Sequence, residues 1–294
     1  MPQGAASPTG PIRLAIWYGK GGVGKSTTTM LLSLLAASHH QRVLAVDLDP
    51  ECGTSRDFLG PELRQVSANL RTFLDSPLPK SLPIIPSGID CLDIVPGVPD
   101  DQRFFRFFPE HSSKLREGLD LLPPDYRFIV MDIPNQYDNI AQLGLIAADY
   151  LILPVELTAD CAERVETGLR TISEARSVNP SLQVLGALCL ASAPRSGRPL
   201  ALTAKELLVH RQYEKSLAPH GIRLFKTIMF RSATTVEEAR SNANHRLLHW
   251  TAHRRFRQFL AEIHARIKTH ASLPSPSRYG KQTNRRRTAA AAHR

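Results

Sequence analysis

Short apolar runs alternate with longer amphipathic stretches along this chain of 294 residues. The apolar runs have the length of buried strands and predict strands at 12–17, 42–47, 91–95, 126–132, 150–155, 183–190 and 224–229. Between them, apolar residues that recur every three or four positions predict helices at 28–37, 63–74, 114–122, 139–148, 161–177, 202–216, 236–243 and 247–267. This alternation predicts an α/β fold with a doubly wound, mostly parallel sheet flanked by helices.

The two ends of the chain lack this pattern. Residues 1–11 contain Pro, Gly and Ser without an apolar core, so we expect a disordered N-terminal segment and no secretory signal. Residues 271–294 lack apolar periodicity and are rich in Arg, which predicts a basic disordered tail. The segment 12–270 is then expected to form one domain, in which 77–88 is a proline-rich connection.

Charge is distributed unevenly along the chain. From residue 205 to the end there are 19 Lys and Arg against 5 Asp and Glu, a net charge of +14, whereas residues 1–204 carry 18 against 22, a net charge of −4. This asymmetry suggests a polyanionic partner, most simply nucleic acid, and a solvated basic face with a disordered tail is the alternative.

No apolar run approaches the roughly 20 residues of a membrane-spanning helix. The four cysteines form no C-x-x-C pair, which favours reduced thiols in a cytosolic protein.

The stretch between the first strand and the first helix matches the phosphate-loop pattern G-x-x-x-x-G-K-[ST]. Its glycines allow a tight turn that brings backbone N–H groups close to a polyphosphate, and the following helix points its positive dipole end at the same anion. Lys25 is expected to reach the β- and γ-phosphates, and Ser26 to ligate Mg²⁺. The predicted nucleotide-binding residues in the loop are Gly21, Gly22, Val23, Gly24, Lys25, Ser26 and Thr27.

Carboxylates follow two of the predicted strands. Asp47 and Asp49 end the strand at 42–47, and Asp132 ends the strand at 126–132. Ligands of parallel sheets bind outside the carboxyl ends of the strands, so these side chains are expected beside the phosphate loop. Asp132 fits a Walker B carboxylate, and Ser26, Asp47 and Asp132 are the predicted metal-binding residues. For Asp49, a role in a turn or helix cap is the alternative.

The run Lys20-Gly-Gly-Val-Gly-Lys25-Ser-Thr contains an extra lysine and resembles the deviant Walker A motif of the ParA/MinD/Soj ATPases. Asp47-Leu-Asp49-Pro50 and Phe128-Ile-Val-Met-Asp132-Ile-Pro134 are similar to the family's next two motifs. The resemblance covers roughly residues 12–268 and is greatest to short ParA-type partition proteins. The chain departs from the family at Glu51-Cys52-Gly53, where Gln-Gly-Asn is usual, and at Phe230, where many members have proline.

The resemblance implies a slow, partner-stimulated ATPase that uses ATP and Mg²⁺ and forms a homodimer in the ATP state. In that dimer, Lys20 would reach the partner's nucleotide and Lys25 its own, and both would neutralise charge that develops in the transition state. Asp49 would position the attacking water, and Phe230 and Arg231 would lie near the adenine. The implied setting is cytoplasmic and nucleoid-associated, with non-specific DNA and a ParB-like centromere-binding or cargo adaptor protein as partners in plasmid or chromosome segregation.

Two related functions remain as alternatives. A MinD-like ATPase would bind membrane through an amphipathic C-terminal helix, and an apolar stripe between Phe256 and Ile267 has helical spacing. Core packing explains such a stripe more often, so we expect no membrane contact. A ParA-like ATPase that positions a protein cargo would use the same switch. The basic residues expected to contact DNA phosphates are Arg231, Arg240, Arg246, Arg254, Arg255 and Arg257.

Overall fold

A computed structural model of the chain describes residues 10–76, 81–98, 113–136, 139–192, 201–231 and 251–271. Within these ranges the strands are β1 Ile12–Ile16, β2 Arg42–Asp47, β3 Ile85–Ile89, β4 Leu92–Val95, β5 Tyr126–Asp132, β6 Tyr150–Glu156, β7 Gln183–Ala191 and β8 Met229–Phe230. The helices are α1 Lys25–Ser38, α2 Gly53–Leu59, α3 Leu70–Leu74, α4 Lys114–Asp120, α5 Asn139–Ala147, α6 Ala159–Glu163, α7 Val165–Val178, α8 Ala204–Leu217 and α9 Thr251–Ala271.

The strands form one sheet in the order β3-β4-β2-β5-β1-β6-β7-β8. Every neighbouring pair is parallel except β3 and β4, which are antiparallel. The chain moves outward from β1 in both directions, so the strand order reverses next to β1, where a doubly wound fold binds its ligand. The predicted doubly wound, mostly parallel sheet is therefore confirmed.

Helices cover both faces of this sheet. Buried side chains of α1, α2 and α9 pack on the face that carries Leu14 and Ile16, and those of the other helices pack on the face that carries Ala15. All five residues of β1 are buried, which explains why its sequence is a continuous apolar run rather than an alternating one. The stripe of α9 that raised the membrane alternative lies in this core, with Phe256, Phe259, Leu260, Ile263 and Ile267 buried. None of the described helices has the length and apolar character needed to cross a bilayer.

Several predicted boundaries are wrong, each for a local reason. The segment 77–88 was expected to be a connection, but β3 occupies 85–89 as an edge strand, where Pro86 removes no essential ladder bond. The helix predicted at 63–74 is a 3₁₀ turn followed by α3, because Asn69 caps α3 through the backbone N–H of Thr72. The helix predicted at 161–177 is divided into α6 and α7 at Arg164, and α2 was not predicted.

The strand predicted at 224–229 is reduced to β8. Side chains of α9 form hydrogen bonds with backbone groups of the residues just before β8, and these groups therefore do not pair with a neighbouring strand. Arg266 donates from Nη1 to the Leu185 carbonyl at 2.5 Å and from Nη2 to the Leu224 carbonyl at 2.6 Å. Glu262 accepts from the backbone N–H groups of Lys226 and Thr227, both at 2.8 Å. Helix α9 overlaps the helix predicted at 247–267. The helix predicted at 236–243 lies outside the described residues, as do residues 1–9 and 272–294 of the disordered ends predicted at 1–11 and 271–294. Residue 271 of the predicted tail is the last residue of α9, and the division into domains stays a prediction.

Gly186 leaves space for the Arg266 guanidinium that bonds the Leu185 and Leu224 carbonyls. It has φ +150°, and a Cβ built on it would lie 2.0 Å from Arg266 Nη1 and 2.4 Å from the Arg223 carbonyl. We expect Gly186→Ala to lower the free energy of unfolding by more than the roughly 1–3 kcal/mol that a sparsely populated backbone conformation costs, because a clash with backbone is added. The matched control is Gly221→Ala, since Gly221 has φ +70° with nothing within 4 Å of the added atom. Thermal unfolding of both variants checks this, and equal losses of stability would contradict it.

Candidate nucleotide-binding site

The phosphate loop lies at the carboxyl edge of the sheet between β1 and α1. Gly22 and Gly24 have φ values of +74° and +82°, which favour glycine. A Cβ on Gly24 would lie 2.7 Å from Leu190 Cδ2, so this glycine is also required by close packing. Gly24 is the N-cap of α1 and offers no side-chain acceptor, and the first turn of α1 contains no acidic residue. The first N–H groups of α1 are therefore left for an anion.

Asp47 and Asp132 are paired in register on neighbouring strands β2 and β5, and both are fully buried. The Asp47 carboxylate accepts hydrogen bonds from the backbone N–H of Asp49 at 3.1 Å and from the N–H and hydroxyl of Ser55, both at 2.7 Å. Asp132 Oδ2 accepts from the Thr54 hydroxyl at 2.8 Å. Asp132 Oδ1 is buried and has no hydrogen-bond partner among the described residues.

Burial is the largest cause of a raised pKa at both carboxylates. The pKa of Asp47 is raised by burial and then by the charge of Asp132. The pKa of Asp132 is raised by burial and partly lowered by the nearby Ser26 hydroxyl. Two adjacent buried carboxylates favour a bound cation, because a cation removes the cost of ionising them.

The residues at this edge fit a Mg²⁺–triphosphate. The unpartnered Oδ1 of Asp132 is an oxygen of the kind that Mg²⁺ prefers, and the Ser26 hydroxyl lies close to the same carboxylate. Within the described ranges no group of three or more His, Cys, Asp or Glu side chains is placed to hold a metal ion.

Asp49 forms a turn directly after β2. Its Oδ1 accepts the backbone N–H of Glu51 at 3.0 Å, and its carbonyl accepts the N–H of Cys52 at 2.8 Å. This is the turn that the sequence left as the alternative for Asp49. Cys52, with φ +50°, then starts α2, and α2 delivers Thr54 and Ser55 to the two buried carboxylates.

The two lysines of the loop lie in different surroundings. Lys25 is buried at the start of α1. Lys20 Nζ lies 2.6 Å from Asp160 Oδ2 and 3.7 Å from Glu156 Oε2, so it is paired within its own chain. The hydrogen bond to Asp160 is the largest cause of a raised pKa at Lys20.

Arg231 contacts the phosphate loop. Its guanidinium donates to the Gly22 carbonyl and pairs with Glu156, and its backbone N–H donates to the Ala191 carbonyl at 2.9 Å. The neighbouring Phe230 lies under the guanidinium of Arg255, 4.8 Å from Cζ to the ring centroid. Segment 229–231 therefore lies beside the loop, and its role toward adenine stays a prediction.

The six arginines proposed for DNA differ in their freedom to contact phosphates. Arg231 is engaged as above, and Arg255 donates to the Ile228 carbonyl at 3.1 Å. Arg254 and Arg257 are exposed on α9. Arg240 and Arg246 lie outside the described residues. A contact of these arginines with DNA stays a prediction.

Sequence reasoning missed Thr54, Ser55, Glu156 and Asp160. Thr54 and Ser55 follow Asp49-Pro50 closely, and a helix start after that turn would have pointed to them. Glu156 ends β6 at the same sheet edge as Asp47 and Asp132, so the strand-end rule that found those two applied to it as well. Asp160 had no such signal, because its meeting with Lys20 depends on how α6 leaves β6.

Comparisons with known proteins agree with this geometry. A family model described as an AAA domain matches residues 13–184, more than half of the chain. The fold and the phosphate loop therefore place the chain in the class of phosphate-loop ATPases. Within it, the chain belongs to the ParA/MinD/Soj family, the family with the deviant Walker A motif.

Three curated relatives and one solved structure illustrate the relationship. The chromosome-partitioning ATPase Soj of Thermus thermophilus is 28% identical, over 87% of this chain and 96% of its own length. The chromosome partitioning protein ParA of Myxococcus xanthus is 29% identical, over 58% of this chain and 61% of its own length. The maintenance of carboxysome distribution protein A of Synechococcus elongatus is 29% identical, over 57% of this chain and 68% of its own length. A plasmid partition protein of Borrelia burgdorferi bound to AMPPNP, a structure that shares the fold, has a TM-score of 0.64 at 20% identity, covering 87% of this chain and 99% of that one.

Burial of Asp47 predicts a pH effect on the nucleotide-free protein. The pKa of Asp47 is about 8 in the folded protein, whereas the unfolded chain releases this proton above about pH 4. The free energy of unfolding therefore falls as the pH rises from about 4 to about 8. Asp47→Asn removes that titration, so we expect its melting temperature relative to wild type to increase steadily between pH 5 and pH 8. Thermal unfolding in EDTA measures the difference. The exposed Asp90→Asn is the control, and parallel curves for wild type and Asp47→Asn would contradict the prediction.

Proposed function

We propose that the chain is a ParA-type positioning ATPase that binds ATP with Mg²⁺, pairs face to face as a homodimer, and in that state binds DNA without sequence preference. Hydrolysis, stimulated by a ParB-like or cargo adaptor protein, releases the dimer and moves a plasmid, chromosome or other cargo in the cytoplasm. The observation that carries the proposal is the position of Lys20. It lies at the rim of a phosphate loop that fits a triphosphate, and its side chain is 19% exposed and held by Asp160 and Glu156.

Different residues would bind the phosphates and the Mg²⁺ ion. The N–H groups of the loop and of α1 bind the phosphates, with Lys25 beside them. Mg²⁺ would neutralise charge between the β- and γ-phosphates, held by Ser26 and Asp132 with Asp47 beside them. Asp49 lies two residues from Asp47 and its Oδ1 accepts the backbone N–H of Glu51, so its proposed task of positioning water falls to its other carboxylate oxygen or requires this hydrogen bond to be released.

The relatives support two kinds of cargo. Soj and ParA are named for chromosome partitioning, and the Synechococcus relative is named for carboxysome distribution. Both cargo types would use the same switch, and DNA partition is favoured because the basic C-terminal third carries a net charge of +14 from residue 205 onward. The membrane alternative loses its support, because the apolar stripe of α9 is buried.

DNA binding tests the proposal directly. Filter binding to a random duplex, at two salt concentrations, is measured with ATP, with ADP and without nucleotide. We expect tight binding with ATP alone and a steep decrease with salt. Replacing both Arg254 and Arg257 by Ala should reduce the log–log salt slope by about 2, because about one unit is lost for each phosphate contact.

The matched control replaces the exposed Arg170, which lies on α7 on the opposite face of the sheet. Its removal should leave the slope unchanged. Binding that is equal in all three nucleotide states would contradict the proposed switch.

Lys20→Ala tests the role of the loop lysine. We expect the variant to bind ATP with an affinity within about threefold of wild type, because Lys25 and the loop N–H groups remain. Its ATP turnover in the presence of DNA should fall at least tenfold, because a trans cation that stabilises transition-state charge is lost. Nucleotide titration and phosphate release measure the two quantities, and exposed Lys215→Ala is the control. Unchanged turnover in Lys20→Ala would remove the cross-subunit role.

A further inference from the structure

Lys20 and the first turn of α6 are held together by one tyrosine. The Tyr18 carbonyl accepts the backbone N–H of Lys20 at 2.8 Å, and the Tyr18 hydroxyl donates to the Cys161 carbonyl at 2.9 Å. Cys161 follows Asp160 directly and is buried, so the turn that carries Asp160 is packed into the core. Both partners of the Lys20–Asp160 ion pair are thus placed before any second molecule arrives.

Glu156 lies beside the Lys20–Asp160 pair and has a second cation of its own. It lies 3.7 Å from Lys20 Nζ, and its other oxygen pairs with Arg231. When Lys20 leaves, Glu156 keeps a cation, so no buried charge is left unpaired.

Asp160 likewise has an alternative when Lys20 leaves. Its side chain is 63% exposed and can be hydrated, and Arg164 lies 3.9 Å from its second oxygen one helical turn away. Because the Asp160 end of the pair is exposed and screened by water, the ion pair is weak and can be exchanged for a stronger site. The geometry therefore describes a releasable contact rather than a structural one.

We propose that Asp160 is a positioning residue that holds Lys20 within its own subunit until a second ATP-loaded copy of this chain takes the lysine, and that it thereby sets the threshold for pairing. The proposal rests on the proposed function, because the destination of Lys20 is the nucleotide of the second copy. Asp160 touches neither nucleotide; it acts on pairing through the position of Lys20. Its removal should therefore favour the dimer rather than weaken it.

The test compares dimer dissociation constants in ATP by sedimentation velocity. We expect Asp160→Asn to lower the constant about two- to thirtyfold, because pairing releases one such weak ion pair in each of the two subunits. Asp160→Ser should behave in the same way, and Asp160→Glu should restore the wild-type value. With ADP, all variants should remain monomeric.

Asp120→Asn is the matched control, because Asp120 forms an ion pair with Arg13 of the same 2.6 Å length and has a similarly exposed side chain, 58%. It lies at the end of α4, away from the loop, and should leave pairing unchanged. In a Lys20→Ala background, Asp160→Asn should give no gain, because there is no lysine to release.

Three results would overturn the proposal. These are an unchanged or weaker dimer in Asp160→Asn, an equal gain in Asp120→Asn, and a gain that persists without Lys20. A wild-type protein that binds ATP but never pairs would contradict the proposed function itself, and this outcome is recognised before any variant is compared.

Discussion

The site is organised by two carboxylates that lie side by side where water does not reach. Asp47 and Asp132 are forced together by the parallel register of β2 and β5. Their surroundings supply donors for Asp47, from Ser55 and the turn at Asp49, and leave one oxygen of Asp132 without a partner within the described ranges. An arrangement that raises both pKa values is unfavourable by itself and becomes favourable with a cation, so the buried centre of the sheet edge is built for a ligand rather than for stability.

Around this centre, the charges at the rim are connected through Glu156. This carboxylate lies between Lys20 and Arg231, and Arg231 in turn contacts the Gly22 carbonyl of the loop. The loop is therefore linked to the ends of β6 and β8 by charged side chains that are only partly buried. Such contacts define the position of the loop, and because they are partly exposed to water they are weak enough to be exchanged.

The basic helix near the C-terminus is joined to the same region by contacts of a different kind. Glu262 and Arg266 of α9 fix the backbone of residues 224–227, and Arg255 packs on Phe230 and bonds the Ile228 carbonyl. Segment 224–231 is thus attached to α9 on one side and to the phosphate loop on the other. The exposed basic face of α9 and the nucleotide site therefore share one physical connection through residues 224–231.

Local signals were sufficient for the main elements and for the centre of the site. The phosphate loop, the buried strands and the carboxylates Asp47 and Asp132 could be predicted because glycine geometry, apolar run length and strand-end position depend on neighbours in the chain. Tertiary structure alone decided that Lys20 meets Asp160, that Arg231 contacts Gly22, and that Arg266 and Glu262 prevent a full strand at 224–229. These contacts join residues 35 to 209 positions apart, and no local pattern encodes them, because they depend on how separate elements pack.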